Sequence, residues 1–320
     1  MSELRARGAG IVYISHRLHE IFEIADRITV LKDGQTVATV EPRGLAMDEL
    51  IRLMVGRPLA ALFPPRQASI GSTPLLEVRG LGRRGVVHDV SFDVNPGEVV
   101  GLGGLIGSGR TELVRLVFGA DRPDTGSVRV DGREVTPRNA RQGVRAGIGL
   151  VPEDRKGEGA VLSLPIRINA TMARLADVSN RLGFLRGARE RGVVGTLIQA
   201  LRVKARDMDA HVATLSGGNQ QKVVLAKWFH AQGRVIILDE PTRGVDVGAK
   251  AEIYGLINEL AAQGKAIVVV SSDHNELMGI SDRILVMGGG RLRGELRRPD
   301  YSEENIVAMS LGIELQPRAA

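Results

Sequence analysis

Two stretches of the sequence combine residue types and spacings that suit phosphate chemistry. In the first, Gly104, Gly107, Ser108 and Gly109 run directly into Arg110, Thr111 and Glu112. Glycines let successive backbone N–H groups wrap an anion without Cβ clashes. The spacing Gly104-x4-Gly109-Arg110-Thr111 supplies a cation for terminal phosphates and a hydroxyl for Mg²⁺. Arginine stands where such a loop normally carries lysine, and its planar fork replaces a compact ammonium, so the exchange is not conservative. The second stretch is Leu215-Ser216-Gly217-Gly218-Asn219-Gln220-Gln221-Lys222. A Ser-Gly-Gly turn opening a helix offers N–H groups and a hydroxyl to an anion. About twenty residues later the apolar run Val235–Leu238 ends in Asp239 and Glu240, a place for a Mg²⁺ ligand and a base for water. A ligand-free turn before a core strand explains the glycines but not the adjacent carboxylates.

These groups need a scaffold that brings loop and strand ends together. Leu75–Val78 reads as an opening strand, Val90–Val94 as a half-buried one, and Asn95–Glu98 as a turn. Val99–Leu102 is a short buried strand feeding the glycine loop, and Glu112–Phe118 is the helix that follows it. Gly147–Val151 is a further strand, ending in Pro152-Glu153-Asp154-Arg155-Lys156. Strands alternating with helices predict an α/β fold.

Composition narrows the classes. The 320 residues are 43% hydrophobic, enough for a real core and two ordinary domains. No apolar run approaches the ~18 residues of a membrane-spanning helix. Met1–Arg5 has no signal-peptide core, and the absence of cysteine removes disulfides and thiolate metal sites. The net charge of +6 is diffuse and aromatics are only 3%, so stacking platforms for nucleic acid are scarce and no nucleic-acid partner is expected.

An internal repeat sets the domain plan. At an offset of 256 residues, Leu4–Gly56 falls on Leu260–Gly312 without a gap. Identical pairs include Ile11/Ile267, Ser15/Ser271, Glu20/Glu276, Asp26/Asp282 and Gly34/Gly290. Each copy reads as strand, short helix, second strand, glycine turn and helix, the last over Met47–Val55 and Glu303–Leu311. Residues 1–56 are therefore expected to be the end of a first domain whose own phosphate loop and carboxylates map ahead of residue 1. Residues 57–74, rich in Pro and Ser, read as a linker. Residues 75–312 read as a complete second domain.

Taken together, these motifs resemble the nucleotide-binding domains of ABC-type ATPases, with P-loop, signature and Walker B in order. Four local patterns resemble the second domain of the two-domain ATP-binding subunits of monosaccharide (ribose-, galactose- or xylose-type) ABC importers. They are Gly109-Arg110-Thr111, Glu153-Asp154-Arg155-Lys156, Leu215–Lys222 and Asp239–Lys250. The resemblance spans residues 1–312 and implies a P-loop NTPase fold with a helical subdomain near 157–214, preceded by a partial copy of the same fold. It implies ATP and Mg²⁺ as cofactors. Gly104, Gly107, Ser108, Gly109, Arg110, Thr111 and Glu112 would hold nucleotide, with Thr111 and Asp239 on the metal and Glu240 as general base. Leu215, Ser216, Gly217, Gly218 and Gln220 would serve nucleotide on a second cassette, and Asp246 would lie in the D-loop at the dimer interface.

Three positions depart from the common pattern: Arg110, Glu153 in place of a glutamine, and Ser272 in place of the switch histidine. That histidine has a counterpart at His16 in the first copy, whereas His274, two residues displaced, reads as an exposed loop histidine. No aromatic in Gly80–Val87 matches the usual adenine-stacking residue. The implied partners are sugar permease subunits, a second ABC ATPase domain or subunit and, indirectly, a periplasmic or extracellular sugar-binding protein. The implied location is the cytoplasmic face of the membrane, as a peripheral subunit. Because such sites pair a P-loop with the other cassette's signature, the chain is expected to bind ATP and hydrolyse it poorly alone. A non-hydrolysing regulatory or decayed fragment is the second class. A soluble tandem-ABC protein acting on ribosomes is the third, and Arg110 and the short linker weigh against it.

Overall fold

The computed structural model describes residues 3–4, 7–14, 18–32, 34–55, 63–66 and 68–313. Its elements run α1 (Leu18–Ile24), β1 (Ile28–Lys32), β2 (Gln35–Val40), α2 (Met47–Val55), β3 (Leu76–Arg83), β4 (Val87–Val94), β5 (Val99–Gly104) and α3 (Arg110–Phe118). They continue with β6 (Thr125–Val130), β7 (Arg133–Glu134), α4 (Ala140–Arg145), β8 (Ile148–Val151), α5 (Ile166–Thr171), α6 (Gly187–Ala200), α7 (Gly217–His230) and β9 (Val235–Asp239). The last are α8 (Val247–Ala262), β10 (Ala266–Val270), α9 (His274–Ile280), β11 (Arg283–Gly288), β12 (Arg291–Arg297) and α10 (Glu303–Ser310).

A six-stranded sheet in the order β12-β11-β5-β10-β9-β8 forms the centre. All its pairs are parallel except the edge pair β11–β12. Every residue of β5, β8, β9 and β10 is buried. That burial is why these strands read as unbroken apolar runs: a parallel sheet covered on both faces has no polar side to alternate. A separate antiparallel sheet, β4-β3-β6-β7, lies over one end, and its strands alternate buried and exposed positions. One contiguous core joins both sheets to α3, α7 and α8. Between β8 and α7 the chain forms short helices joined by turns: a π-turn at Arg155–Gly159, then α5, a 3₁₀ stretch at Met172–Val178, and α6.

The described part of the Pro-rich stretch is anchored to this core. The Phe63 ring stacks on Tyr254 with centroids 5.1 Å apart. Gly279 leaves room for that ring, since a Cβ there would sit 2.4 Å from it. Asn258 Nδ2 donates to the Pro64 carbonyl at 2.8 Å, and Arg66 pairs with Asp282 at 2.6 Å.

The first repeat copy departs from its expected form at one element. Ile11–Ile14, expected as a strand, adopts no regular structure, although its counterpart Ile267–Val270 is the central strand β10. A parallel strand acquires its hydrogen bonds only from neighbours, and β10 has β5 and β9. Among the described residues no strand flanks 11–14, so Val12 and Ile14 stand 92% and 93% exposed. The rest of the copy forms: α1, the β1–β2 hairpin and α2 close a small cluster around Ile28, Val30 and Leu50. Amide hydrogen exchange is expected to be fast at 11–14 and the slowest class at 267–270; equal protection would contradict this arrangement.

Candidate functional site

The chemistry-bearing residues collect at the carboxyl ends of four neighbouring parallel strands, the side where open α/β sheets bind ligands. The register aligns these ends: Val270 pairs with Leu102 on one side and Asp239 on the other, and Leu238 pairs with Val151. The glycine loop follows β5, Asp239 closes β9, Ser271–Asp273 follow β10, and Pro152-Glu153 follow β8.

The loop is shaped as an anion cradle. A Cβ on Gly104 would lie 2.4 Å from the Met287 carbonyl, so only glycine fits there. Gly107 has φ of 77° and open space where a side chain would be, with Ile106 beside it 93% exposed. Gly109 precedes α3 without any side-chain cap on the helix N-terminus. The first N–H groups of α3 are thus free for a ligand, and the helix dipole favours a negative one. Ser108 Oγ is buried with no hydrogen-bond partner.

Arg110 is only 8% exposed, and its Nη1 donates to the Ser271 carbonyl at 2.5 Å. Burial lowers its pKa, against the opposing fields of Glu240, Asp239 and Glu112. Asp239 is also buried; its Oδ1 has no partner, while Thr111 hydrogen-bonds the carboxylate. Burial pushes its pKa up to about 6. An unpartnered buried carboxylate oxygen beside a threonine hydroxyl is the donor set a hard divalent cation takes. The cradle, the orphaned Ser108 and Asp239 oxygens and the Arg110 cation together fit a magnesium nucleotide.

Glu240 follows with φ of 48°, an uncommon conformation for a side-chain-bearing residue. Its N–H is tied to the Val270 carbonyl at 2.9 Å. Ser272 Oγ donates to Glu240 Oε2 at 3.1 Å, so the residue at the switch position holds the candidate base. Burial raises the Glu240 pKa, and the Ser272 hydrogen bond opposes that rise. A buried carboxyl, Glu276, ties the two loops together from below. It accepts from Thr242 Oγ1 at 2.7 Å and from Ser271 Oγ at 2.5 Å. Glu276 was not recognisable as part of the site from the sequence; its identity with Glu20 across the repeat was the available signal.

Beside Thr111 and Asp239 opens a cleft of 480 Å³, lined by Arg115, Glu153, Arg155, Lys156 and Arg243 among others. Four cations on one rim suit a polyanionic ligand. Sequence reasoning missed Arg115, and it read Arg243 as part of the D-loop with Asp246 rather than as a wall of this cleft. Glu153 forms an ion pair with Arg243, linking the loop after β8 to the segment after β9.

The signature residues are not part of this cleft. Ser216 precedes α7, Asn219 Nδ2 donates to Ser216 Oγ at 2.9 Å, and Gln220 Nε2 donates to the Leu215 carbonyl at 3.1 Å. Gly217 and Gly218 lie against the segment that follows β9, where a Cβ would sit 3.0 Å from the Gly244 carbonyl and 2.7 Å from Ala249 Cβ. Asp246 caps α8 by accepting from the Ala249 N–H at 2.9 Å. His274, expected as an exposed loop residue, is instead the first residue of α9. Its side chain is 12% exposed, shielded by α10 with Nδ1 3.3 Å from Glu303. His16, the switch-histidine candidate of the first copy, lies outside the described residues.

This arrangement defines an ATP-binding cassette. Residues 87–243 match the model of the ABC transporter family. Solved cassettes share the fold. An ATP-binding cassette of an ABC transporter in its ADP conformation superposes with a TM-score of 0.63 at 20% identity, over 75% of this chain and 100% of that one. A dimeric cassette bound to ADP and Pi gives 0.60 at 22% identity, over 70% and 98%.

Within the family, the relatives are import proteins. A ribose import ATP-binding protein of Rhizobium meliloti is 60% identical over 96% of this chain and 61% of its own length. A putative ribose/galactose/methyl galactoside import ATP-binding protein of the same organism is 55% identical over 97% and 62%. One from a Chelativorans species, a ribose import ATP-binding protein, is 52% identical over 97% and 61%. The chain thus spans about three fifths of the length of these curated relatives.

The raised pKa of Asp239 has a sign that can be measured. Its folded value, about 6, exceeds the ordinary carboxylate value, so the metal-free fold is favoured when Asp239 is protonated. Stability of the metal-free chain is therefore expected to fall as pH rises through about 6. Metal binding needs the ionised carboxylate and runs the other way. Magnesium-dependent nucleotide binding is expected to weaken severalfold from about pH 7.5 to about 5.5, which calorimetric titration at the two pH values measures.

Proposed function

We propose that this chain is an energy-coupling ATPase module of a sugar importer of the ribose/galactose/xylose kind, acting as a peripheral subunit on the cytoplasmic face of the membrane. The observation that carries the reading is the convergence of Arg110, Thr111, Asp239, Glu240 and Ser272 at the ends of β5, β9 and β10. In this reading residues 104–112 bind the ATP phosphates. Thr111 and Asp239 would hold Mg²⁺, whose charge would screen the phosphates. Glu240 accepts the proton of the attacking water, and Ser272 fixes the rotamer of Glu240. Glu153, in the loop after β8, would lie beside the bound metal, and its ion pair with Arg243 ties that loop to the segment leading to Asp246.

Leu215, Ser216, Gly217, Gly218 and Gln220 would complete a nucleotide site on a second cassette, and Asp246 would lie between the two. Residues 1–56 are read as the end of a first cassette, 57–74 as a connector, and 75–312 as a second cassette with its helical lobe near 157–214. The helical lobe would dock on permease subunits, and an external sugar-binding protein would choose the sugar. No helix among the described residues is long and apolar enough to cross a membrane, in keeping with a peripheral attachment.

The test is genetic. Deleting the gene that encodes this sequence is expected to lower uptake of radiolabelled ribose, galactose or xylose at least about tenfold. The wild-type gene should restore it and an Asp239→Asn gene should not. Unchanged uptake of all three sugars would overturn the reading.

A further inference from the structure

The stretch 181–189 is exposed at every residue, yet it contains Leu182, Phe184 and Leu185, exposed by 82%, 69% and 54%. It is no loose loop. Asn180 Oδ1 accepts from the Leu182 and Phe184 N–H groups at 2.9 and 3.0 Å. The Asn180 N–H donates to the Phe184 carbonyl at 2.8 Å, and the Gly183 N–H to the Asn180 carbonyl at 3.0 Å. A bridge joins Ser179 to Leu185, and the Arg186 N–H closes onto the Val178 carbonyl at 2.8 Å. Gly183, with φ of 87°, supplies the left-handed residue that such a tight turn needs. Hydrogen bonds therefore hold three large apolar side chains in water, where each costs free energy.

The charges around the turn are of one sign. Arg181, Arg186 and Arg189 flank it, and none of them forms an ion pair among the described residues. No acid occurs between Asp177 and Glu190. Those two are already engaged, Asp177 with Arg174, and Glu190, buried, with Arg167. Neither contact contributes to the cassette site, and the proposed hydrolysis uses none of these residues.

We propose that the turn Asn180–Arg186 is a membrane-contact element that inserts Leu182, Phe184 and Leu185 into the headgroup–acyl boundary of an anionic bilayer, while Arg181, Arg186 and Arg189 pair with lipid phosphates. A small exposed apolar turn flanked in sequence by exposed arginines matches interfacial lipid binding, in which apolar burial and anionic attraction add. The permease dock proposed for the lobe would need about 800 Å² on each side, far more than three side chains on one turn offer. That dock is therefore assigned to the rest of the lobe and this turn to the bilayer beside it. The arginine stems also suit the boundary, because they cover apolar surface while the guanidinium stays at the phosphates. The inference rests on the peripheral location proposed above, but its test does not depend on sugar uptake.

The polypeptide of residues 1–320 is sedimented with vesicles of phosphatidylcholine alone and of equimolar phosphatidylcholine and phosphatidylglycerol, at low and high salt. The parent is expected to bind anionic vesicles at least about tenfold more tightly than neutral ones, and less tightly as salt rises. Leu182→Ser/Phe184→Ser/Leu185→Ser and Arg181→Gln/Arg186→Gln/Arg189→Gln should each lose about tenfold or more. Both should keep the parent's melting temperature and nucleotide binding, since all six side chains are exposed. Equal binding to neutral vesicles, or undiminished binding by either variant, would overturn the proposal. So would variants that bind vesicles normally but no longer copurify with permease, an outcome that would make the turn a protein-docking element.

Discussion

Asp239→Asn is expected to move binding and stability in opposite directions. Magnesium-dependent nucleotide binding should weaken at least about a hundredfold, because the buried oxygen aimed at the cleft loses its charge and half of its acceptor capacity. The metal-free chain should become more stable at neutral pH. Asp239 is 2% exposed, its Oδ1 is unpartnered, and its pKa stands at about 6. Keeping it ionised at pH 7 costs the metal-free fold roughly 1–3 kcal/mol, taking 1.36 kcal/mol per unit over a shift of about two units as the upper bound. An isosteric amide removes that cost. Denaturant melts of both proteins without metal, beside nucleotide titrations with Mg²⁺, measure the two effects. A variant both less stable and unimpaired in binding would mean that Asp239 is an ordinary core residue. This opposition is what a site optimised for a ligand, at the fold's expense, should produce.

The second large effect concerns turnover. A purified polypeptide of residues 1–320 is expected to hydrolyse ATP at least about a hundredfold more slowly than the ~10 s⁻¹ typical of enzymes. Its signature turn, Ser216–Gly218, packs on Gly244 and Ala249 and contributes nothing to the cleft beside Thr111 and Asp239. Water activation by Glu240 would therefore proceed without the second set of N–H donors that a partner signature provides. Arg110 adds to the deficit, because its guanidinium is engaged with the Ser271 carbonyl. Should residual activity arise from two copies pairing head to tail, the rate per chain would rise with protein concentration. Turnover near 10 s⁻¹ at high dilution, independent of concentration, would contradict this account.

The parts of the molecule that the sequence made legible are those governed by local rules. Glycine positions in 104–109, the apolar runs of β5, β8, β9 and β10, and the paired carboxylates each carry their own physical signature. The helix Met47–Val55 was readable for the same reason, as an apolar stripe of helical period. The failures were non-local. Ile11–Ile14 has the sequence of a strand, and its apolar residues are exposed as the repeat leads one to expect. A parallel strand, however, forms only beside a neighbour, and none flanks it among the described residues. His274 was misread because its shielding comes from α10, far along the chain. The ion pair of Glu153 with Arg243 and the carboxyl bridge of Glu276 to Thr242 and Ser271 join loops from separate strands, so no spacing rule announces them. Phe63, in a stretch that reads as a linker, likewise finds Tyr254 only through the tertiary fold.

The central claim is that one chain carries a nucleotide cradle and, outside the cleft beside it, a Ser-Gly-Gly turn proposed to serve another cassette. Hydrogen exchange of the dilute chain with and without magnesium ATP tests this most directly. The account predicts strong new protection at the amides of residues 105–113 and no change at 216–220. Comparable protection at both segments, or none at 105–113, would contradict it.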